Sequence, residues 1–284
     1  MSQPQSADST QVYDLHSHSR FSDGDLNPQE LVALAVERNV THLALTDHDS
    51  VAGLESAAEA SAASGLSLIN GVEFSCQWNG QLLHMLGLNI NPSHPKILEG
   101  VERNKQLRLE RAEAMHHDFI KHGLDLRDEV NAVVDQAGVP TRPHFAQALI
   151  NLGVVKDKNQ AFKRYLVRGK VGYIPMQWPE LAEVAQWIVE SNGVGVLAHP
   201  MRYKFTRTKL IRLINDMQSH GVNALEVTTP VTLPQQSKML TELCLKFDLL
   251  ASTGSDFHSP SQPWAQLGTA APLDPQLRPV WSLF

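Results

Sequence analysis

A chain of 284 residues with 42% hydrophobic content can bury a sizeable core, as one large domain or one domain plus an insertion. The formal net charge of -6 argues against a broad basic face that grips long nucleic acid. Two cysteines, Cys76 and Cys244, give no basis for a disulfide framework and suit free thiols in a reducing, cytoplasmic compartment, and no apolar run approaches the roughly 18 to 20 residues of a membrane span.

Residues 1–10 lack the basic and apolar pattern of a signal and read as a flexible polar tail. A short strand over Val12 to Leu15 ends at His16, and a loop from His18 to Gly24 follows. Asn27-Pro28 opens a helix with proline at its first position, running through Leu31, Leu34 and Ala35. The next strand, 42–46, ends at Asp47-His48; an alanine-rich helix over 53–64 is closed by Gly65. A third strand over 66–70 ends near Glu73. Residues 74–76 and 82–88 form a hairpin around Asn79-Gly80, with His84 in its second arm.

The character changes at about Asn91-Pro92. Helical patterns of mixed charge run from Lys96 to His122 and from Asp128 to Gln136, then from Thr141-Arg142-Pro143-His144, and again from Lys158 to Leu166. We read 96–190 as a mostly helical insertion contributing substrate-binding residues, between barrel segments 11–95 and 191–284. Strand rhythm returns at 194–198, 224–227 and 249–252, separated by helices near 209–219 and 235–247. Alternating strand and helix implies a parallel sheet, and about six or seven such units suggest an α/β barrel.

Thirteen histidines are present. His16 and His18, two apart on an extended segment, point to one side. With Asp23 they are followed by Thr46-Asp47-His48-Asp49, Glu73, His84, His144, Ala198-His199-Pro200 and Gly254-Ser255-Asp256-Phe257-His258. Most of these stand where a strand ends or a helix begins, and strand ends at a barrel mouth are where a metal cluster is assembled. Each carboxylate taken singly is equally a cap or turn residue, Asp23-Gly24 above all. His42, His94, His116, His117, His122 and His220 read as surface or structural residues, and Asp47 as a supporting residue or a cap.

This ordered set resembles the polymerase and histidinol phosphatase (PHP) family of phosphoesterases over about residues 12–260. Thr141-Arg-Pro-His144, Arg168-Gly-Lys-Val-Gly-Tyr173 and Gly254-Ser-Asp-Phe-His258 are similar to the branch containing nucleoside 3′,5′-bisphosphate phosphatases and 5′→3′ exoribonucleases. One departure is Arg20-Phe21, where relatives usually carry small residues. The resemblance implies a distorted (β/α)7 barrel with two to three divalent ions per chain. It implies one ion on His16, His18, Glu73 and Asp256; a second on Glu73, His84 and His144; a third on Asp23, His48, His199 and His258. Glu73, His199 and Asp256 would then stand at the reacting centre. Imidazole with carboxylate suits manganese first, with iron or zinc as alternatives. The chemistry implied is attack on phosphorus by water whose pKa is lowered toward about 7 by a metal.

Arg142, Arg168 and Lys170 are candidates for a second phosphate, or ordinary surface charges; Arg202 is a weaker candidate. Tyr173 and Trp178 either stack a base or only pack. The leading expectation is hydrolysis of the 3′-phosphate of nucleoside 3′,5′-bisphosphates and 5′→3′ removal of nucleotides from short 5′-phosphorylated RNA. The alternatives are a small-metabolite phosphatase, as for histidinol phosphate, and a non-catalytic metal-binding regulatory module. Nothing in the sequence calls for a membrane or an obligate protein partner.

Overall fold

Seven strands follow one another around a single sheet in chain order: β1 (Tyr13–Asp14), β2 (His42–Leu45), β3 (Ser67–Trp78), β4 (Gln81–Leu88), β5 (Val194–Leu197), β6 (Ala224–Thr228) and β7 (Leu250–Thr253). The structure is a computed structural model that describes residues 11–134 and 138–284. The expected tail and the end of the helix expected to reach Gln136 lie outside the described residues. Leu15 N donates to Thr253 O at 3.0 Å and Ser17 bridges to Phe257, so the last strand returns to the first and the sheet closes into a distorted barrel.

Helices α1 (Pro28–Glu37) and α2 (Leu54–Ser64) separate the first strands. Between β4 and β5 lie α3 (Pro95–Lys121), α4 (Arg127–Val134), α5 (Arg142–Asn151), α6 (Lys158–Ala161) and α7 (Leu181–Glu190), and α8 (Arg207–Ser219) and α9 (Pro234–Phe247) separate the last strands. Local signals explain the boundaries. Asn27 caps α1 by accepting from Glu30 N while the Glu30 carboxylate accepts from Asn27 N, with Pro28 at the first turn.

The sheet is parallel except around β4, where the expected hairpin forms. β4 runs antiparallel to both β3 and β5, because β3 turns straight back through Asn79-Gly80 with no crossover helix. β3 is also one continuous strand where two pieces were expected. Asn70-Gly71 reads as a break in sequence, but a Cβ on Gly71 would lie 2.7 Å from Thr46 Cγ2, so the glycine serves close strand approach. Glu73 therefore sits mid-strand. Val72, Phe74 and Cys76 point outward into a fully buried apolar layer, and Glu73 and Ser75 share the other face.

The same alternation holds in β6. Leu225 and Val227 pack outward with Leu213 of α8 and Leu240 of α9, leaving Ala224 and Glu226 on the opposite face. The far end of the barrel is apolar: Leu86, Val196 and Ala224 meet Val280, while Trp281 stacks on Tyr13 at 4.0 Å between centroids. A separate apolar cluster joins α3, α4, α5 and α6 through Met115, Phe119, Val130, Phe145 and Ala161. The range 96–190 expected for the insertion takes in α7, whose Val184, Trp187 and Ile188 pack instead with the barrel strands. Cys76 and Cys244 are buried free thiols. No described helix is long and apolar enough to cross a membrane.

Candidate metal centre and its flanking cavities

One fully buried carboxylate, Glu73, is ringed by five imidazoles. Its Oε2 lies 3.3 Å from His16 Nε2, 3.3 Å from His18 Nε2 and 2.9 Å from His48 Nδ1. Its Oε1 lies 3.0 Å from His84 Nδ1 and 3.1 Å from His199 Nε2. The two oxygens thus face two different sets of rings. Asp256 Oδ1 approaches His16 at 3.3 Å and His18 at 3.2 Å. On the other side Asp23 Oδ1 lies 3.4 Å from His258 Nε2 and 3.9 Å from His48 Nε2.

Backbone geometry holds these groups. His199 and Asp256 have φ of 30° and 52°, conformations that cost a non-glycine residue about 1–3 kcal/mol and need outside support. Asp256 N donates to His16 O at 2.9 Å, and His199 N donates to Glu226 Oε2 at 2.6 Å. A Cβ on Gly254 would meet His16 Cβ at 2.4 Å, so only glycine lets β7 end against His16. Asp47 accepts from Ser19 N, Ser19 Oγ and Ser22 Oγ, which fixes the loop carrying Asp23; it supports the site rather than joining it.

Three groups of side chains converge closely enough to hold a cation: His16, His18, Glu73 and Asp256; His48, Glu73 and His84; and His18, Asp23, His48 and His258. His16 Nε2, Asp23 Oδ1, His48 Nδ1 and Glu73 Oε2 are buried without a hydrogen-bond partner, as expected of lone pairs aimed at an ion. The electrostatics agree. Burial disfavours charge on His16, yet Glu73, Glu226 and Asp256 hold its pKa well above the ordinary range. Burial likewise opposes charge on His18, but hydrogen bonds to Asp256 and Glu73 push it up to about 10. Burial raises and the surrounding imidazoles lower Glu73, leaving it well below the carboxylate range. Burial instead lowers His48 to about 4 and lowers His199, so the carboxylates draw positive charge to the His16–His18 side, and the mixed imidazole and carboxylate donors fit borderline divalent metals.

Two placements differ from the expected division. His199 stands beside Glu73 and His84, not with Asp23, because β5 lies next to β4 in the sheet. His144 belongs to none of the three groups. Its Nδ1 accepts from Thr141 N at 3.0 Å as part of the cap of α5, which leaves the proton of a neutral ring on Nε2, where a metal would need a lone pair. His144 instead lines a cavity with Asp23 and Lys158. The six histidines read as structural stay out of the cluster: His94 caps α3, His42 stacks on Tyr13, and His116 packs on Phe145.

A cavity of about 760 Å³ is lined by Arg111, Arg142, Arg168, Lys170, Tyr173 and Trp178. Arg111, Arg142 and Trp178 also line a small pocket that reaches Asp23, His48 and His84. The expected cations Arg142, Arg168 and Lys170 therefore share one cavity beside the centre. Arg202 does not join them; its guanidinium pairs with Asp256 Oδ2. Trp178 is 5% exposed and packs under two guanidinium groups, those of Arg108 and Arg111, each 5.4 Å from its ring centroid.

The residues that sequence reasoning missed are Glu226, Asp49, Arg108 and Arg111. Glu226 Oε1 accepts from His16 Nδ1 at 2.9 Å. Arg108 Nε donates to Asp49 Oδ2 at 2.7 Å, and Asp49 Oδ1 accepts from Ser75 N and Asn104 Nδ2. Arg111 is 6% exposed, its Nε has no hydrogen-bond partner, and no carboxylate pairs with it among the described residues. Burial, with Arg108 and Arg142 beside it, pushes its pKa well below the ordinary arginine range.

The sequence profile of the PHP domain matches residues 14–195. The chain belongs to the PHP domain family. Among PHP relatives, a 5′-3′ exoribonuclease of Haemophilus influenzae is 38% identical over 97% of this chain and 100% of its own length. A 3′,5′-nucleoside bisphosphate phosphatase of Chromobacterium violaceum is 39% identical over 94% of each chain. A solved structure, an amidohydrolase from Chromobacterium violaceum with bound sulfate and no metal, superposes with a TM-score of 0.90 at 38% identity, covering 95% of this chain and 94% of that one.

Proposed function

We propose that this protein is a metal-dependent phosphoesterase that removes the 3′-phosphate of nucleoside 3′,5′-bisphosphates and shortens 5′-phosphorylated RNA from its 5′ end. The observation that carries the reading is the buried guanidinium of Arg111 and the half-buried one of Arg142, neither in an ion pair among the described residues, in a cavity that opens onto the Glu73 centre. Leaving a cation buried and unpaired is costly, and a phosphate dianion relieves that cost through charge-assisted hydrogen bonds. The activities for which the two relatives above are named, each aligned over nearly the whole chain, support it.

In this reading His16, His18, Glu73 and Asp256 hold one ion, Glu73 with His84 and His199 a second, and Asp23, His48 and His258 a third. Manganese is our first choice, two to three ions per chain. Divalent ions bound there would supply Lewis acidity toward phosphoryl oxygens and a water of lowered pKa. The chain's own residues do the positioning. Arg111 and Arg142 take the 5′-phosphate, Arg168 and Lys170 close over it, and the 3′ phosphorus then lies at Glu73. A water oxygen bonds to phosphorus, the P–O3′ bond breaks, and O3′ ends with the proton. A terminal monoester gives inorganic phosphate; a diester leaves its phosphate on the 5′ end of the shortened RNA. One geometry thus serves both substrates. The buried free thiols suit a cytoplasmic setting.

The test compares adenosine 3′,5′-bisphosphate, 5′-phosphorylated RNA, 5′-hydroxyl RNA of the same length, and histidinol phosphate, each with manganese. We expect turnover of the first two and weak turnover of the others. Fast turnover of histidinol phosphate alone would replace this reading with a metabolite phosphatase. No turnover of any substrate with metal bound would favour a regulatory module.

A further inference from the structure

We propose that Trp264 stacks on the base of the second nucleotide of an RNA substrate, making the cavity beside it the path by which the remaining strand leaves the centre. This rests on the phosphoesterase reading above. A cavity of about 510 Å³ reaches Asp256 and His258 at one end and is walled by Phe162, Lys158, Gln262 and Trp264. It shares no lining residue with the arginine cavity. A substrate whose 5′-phosphate occupies the arginine cavity and whose first internucleotide phosphorus lies at Glu73 must send its next nucleotide through a different opening, and this cavity touches the centre. A nucleoside bisphosphate ends at that phosphorus and has no group to place there.

Trp264 is 59% exposed, stacks on no aromatic ring among the described residues, and its indole N–H has no partner there. The loop beneath it is nonetheless fixed. Gln266 Nε2 donates to Gln262 O at 2.7 Å, Ala265 N donates to Gln262 O at 3.1 Å, and Ala265 and Leu267 are buried. The indole is thus a free aromatic face on a rigid mount, the arrangement that single-stranded nucleic acid uses for base stacking. Lys158 has no carboxylate within ion-pair distance among the described residues and supplies positive charge for the following phosphate, while Asp157 on the same wall limits the track to a short one.

The experiment measures kcat/KM of the wild type, W264A and W264F on adenosine 3′,5′-bisphosphate and on a 5′-phosphorylated RNA pentamer. A third substrate is the same pentamer with an abasic second position. We expect W264A to lose about tenfold or more on the pentamer, the loss of one base–aromatic stack, and to match the wild type on the bisphosphate. W264F should retain most activity on RNA. The abasic pentamer should be as poor for the wild type as for W264A. Equal losses on bisphosphate and RNA, an unaffected pentamer, or a further fall of W264A on the abasic substrate would overturn the stacking role while the phosphoesterase reading stood. Failure of the wild type on both the bisphosphate and RNA would overturn the reading itself, and this inference with it.

Discussion

His16 Nδ1 donates to Glu226 Oε1 at 2.9 Å, and this bond turns the ring so that Nε2 faces Glu73 and Asp256, where it would offer its lone pair to a bound ion in place of a proton. The other Glu226 oxygen accepts from His199 N at 2.6 Å, so one buried carboxylate orients two rings of the centre. Partners of this kind tune metal affinity by about 10–100-fold. Glu226→Gln should weaken manganese binding by that order, measured by competition with a fluorescent chelator. Unchanged affinity would show that barrel packing alone fixes His16.

Glu73 and His144 separate binding from positioning. Glu73→Gln should lower bound metal and abolish most activity, because a neutral amide replaces a carboxylate that faces five imidazoles. His144→Gln should keep the metal content of the wild type, since its Nδ1 is occupied by Thr141 N. Elemental analysis of both variants decides the point; metal loss in His144→Gln would restore His144 as a ligand.

The arginine cavity yields a selectivity test. Arg142→Ala should reduce kcat/KM on a 3′,5′-bisphosphate about ten- to a hundredfold more than on the matching 3′-monophosphate, the worth of a charge-assisted phosphate contact of about 1.5–3 kcal/mol. Arg111→Met should produce the same selectivity loss with a Tm at or above that of the wild type, since a buried unpaired cation has been removed.

Asp49 and Arg108 form a buried ion pair that supports the cavity from below. Asp49→Asn tolerates the φ of 52° at this position and removes only the charge. It should cost about 3–5 kcal/mol in urea unfolding, since Arg108 is left uncompensated. Burial raises the Asp49 pKa, but Arg108 and the hydrogen bonds from Ser75 and Asn104 bring it below the ordinary carboxylate value. The pair's contribution is therefore complete above about pH 4 and is lost as pH falls below it. The variant should show a flatter acid limb in a stability-against-pH curve.

The legible part of the site was local. His-x-His and Asp-x-His put two ligands on one side of a short segment, and strand ends told where those segments lead. Glu226 was hidden because Ala-Leu-Glu-Val reads as an ordinary strand; the available signal was a lone carboxylate in an otherwise apolar run. Asn104, Arg108 and Arg111 were hidden in a helix of mixed charge that reads as solvated. Their spacing of four and three residues places them on one face, and only tertiary structure shows that this face is buried. Which ring stands beside which carboxylate was not legible either, because His199 reaches Glu73 across 126 residues of chain through the antiparallel β4.

The closure of β7 onto β1 joins the two ends of the chain at the centre, where His18 and Asp256 meet across 238 residues. During synthesis His16 and His18 emerge early, gain Glu73 soon after, and wait for almost the whole chain before Asp256 leaves the ribosome. Loop closure over that span is slow compared with local helix formation. A chain that stops before β7 lacks Asp256 and His258 and leaves the proposed centre without two of its ligands.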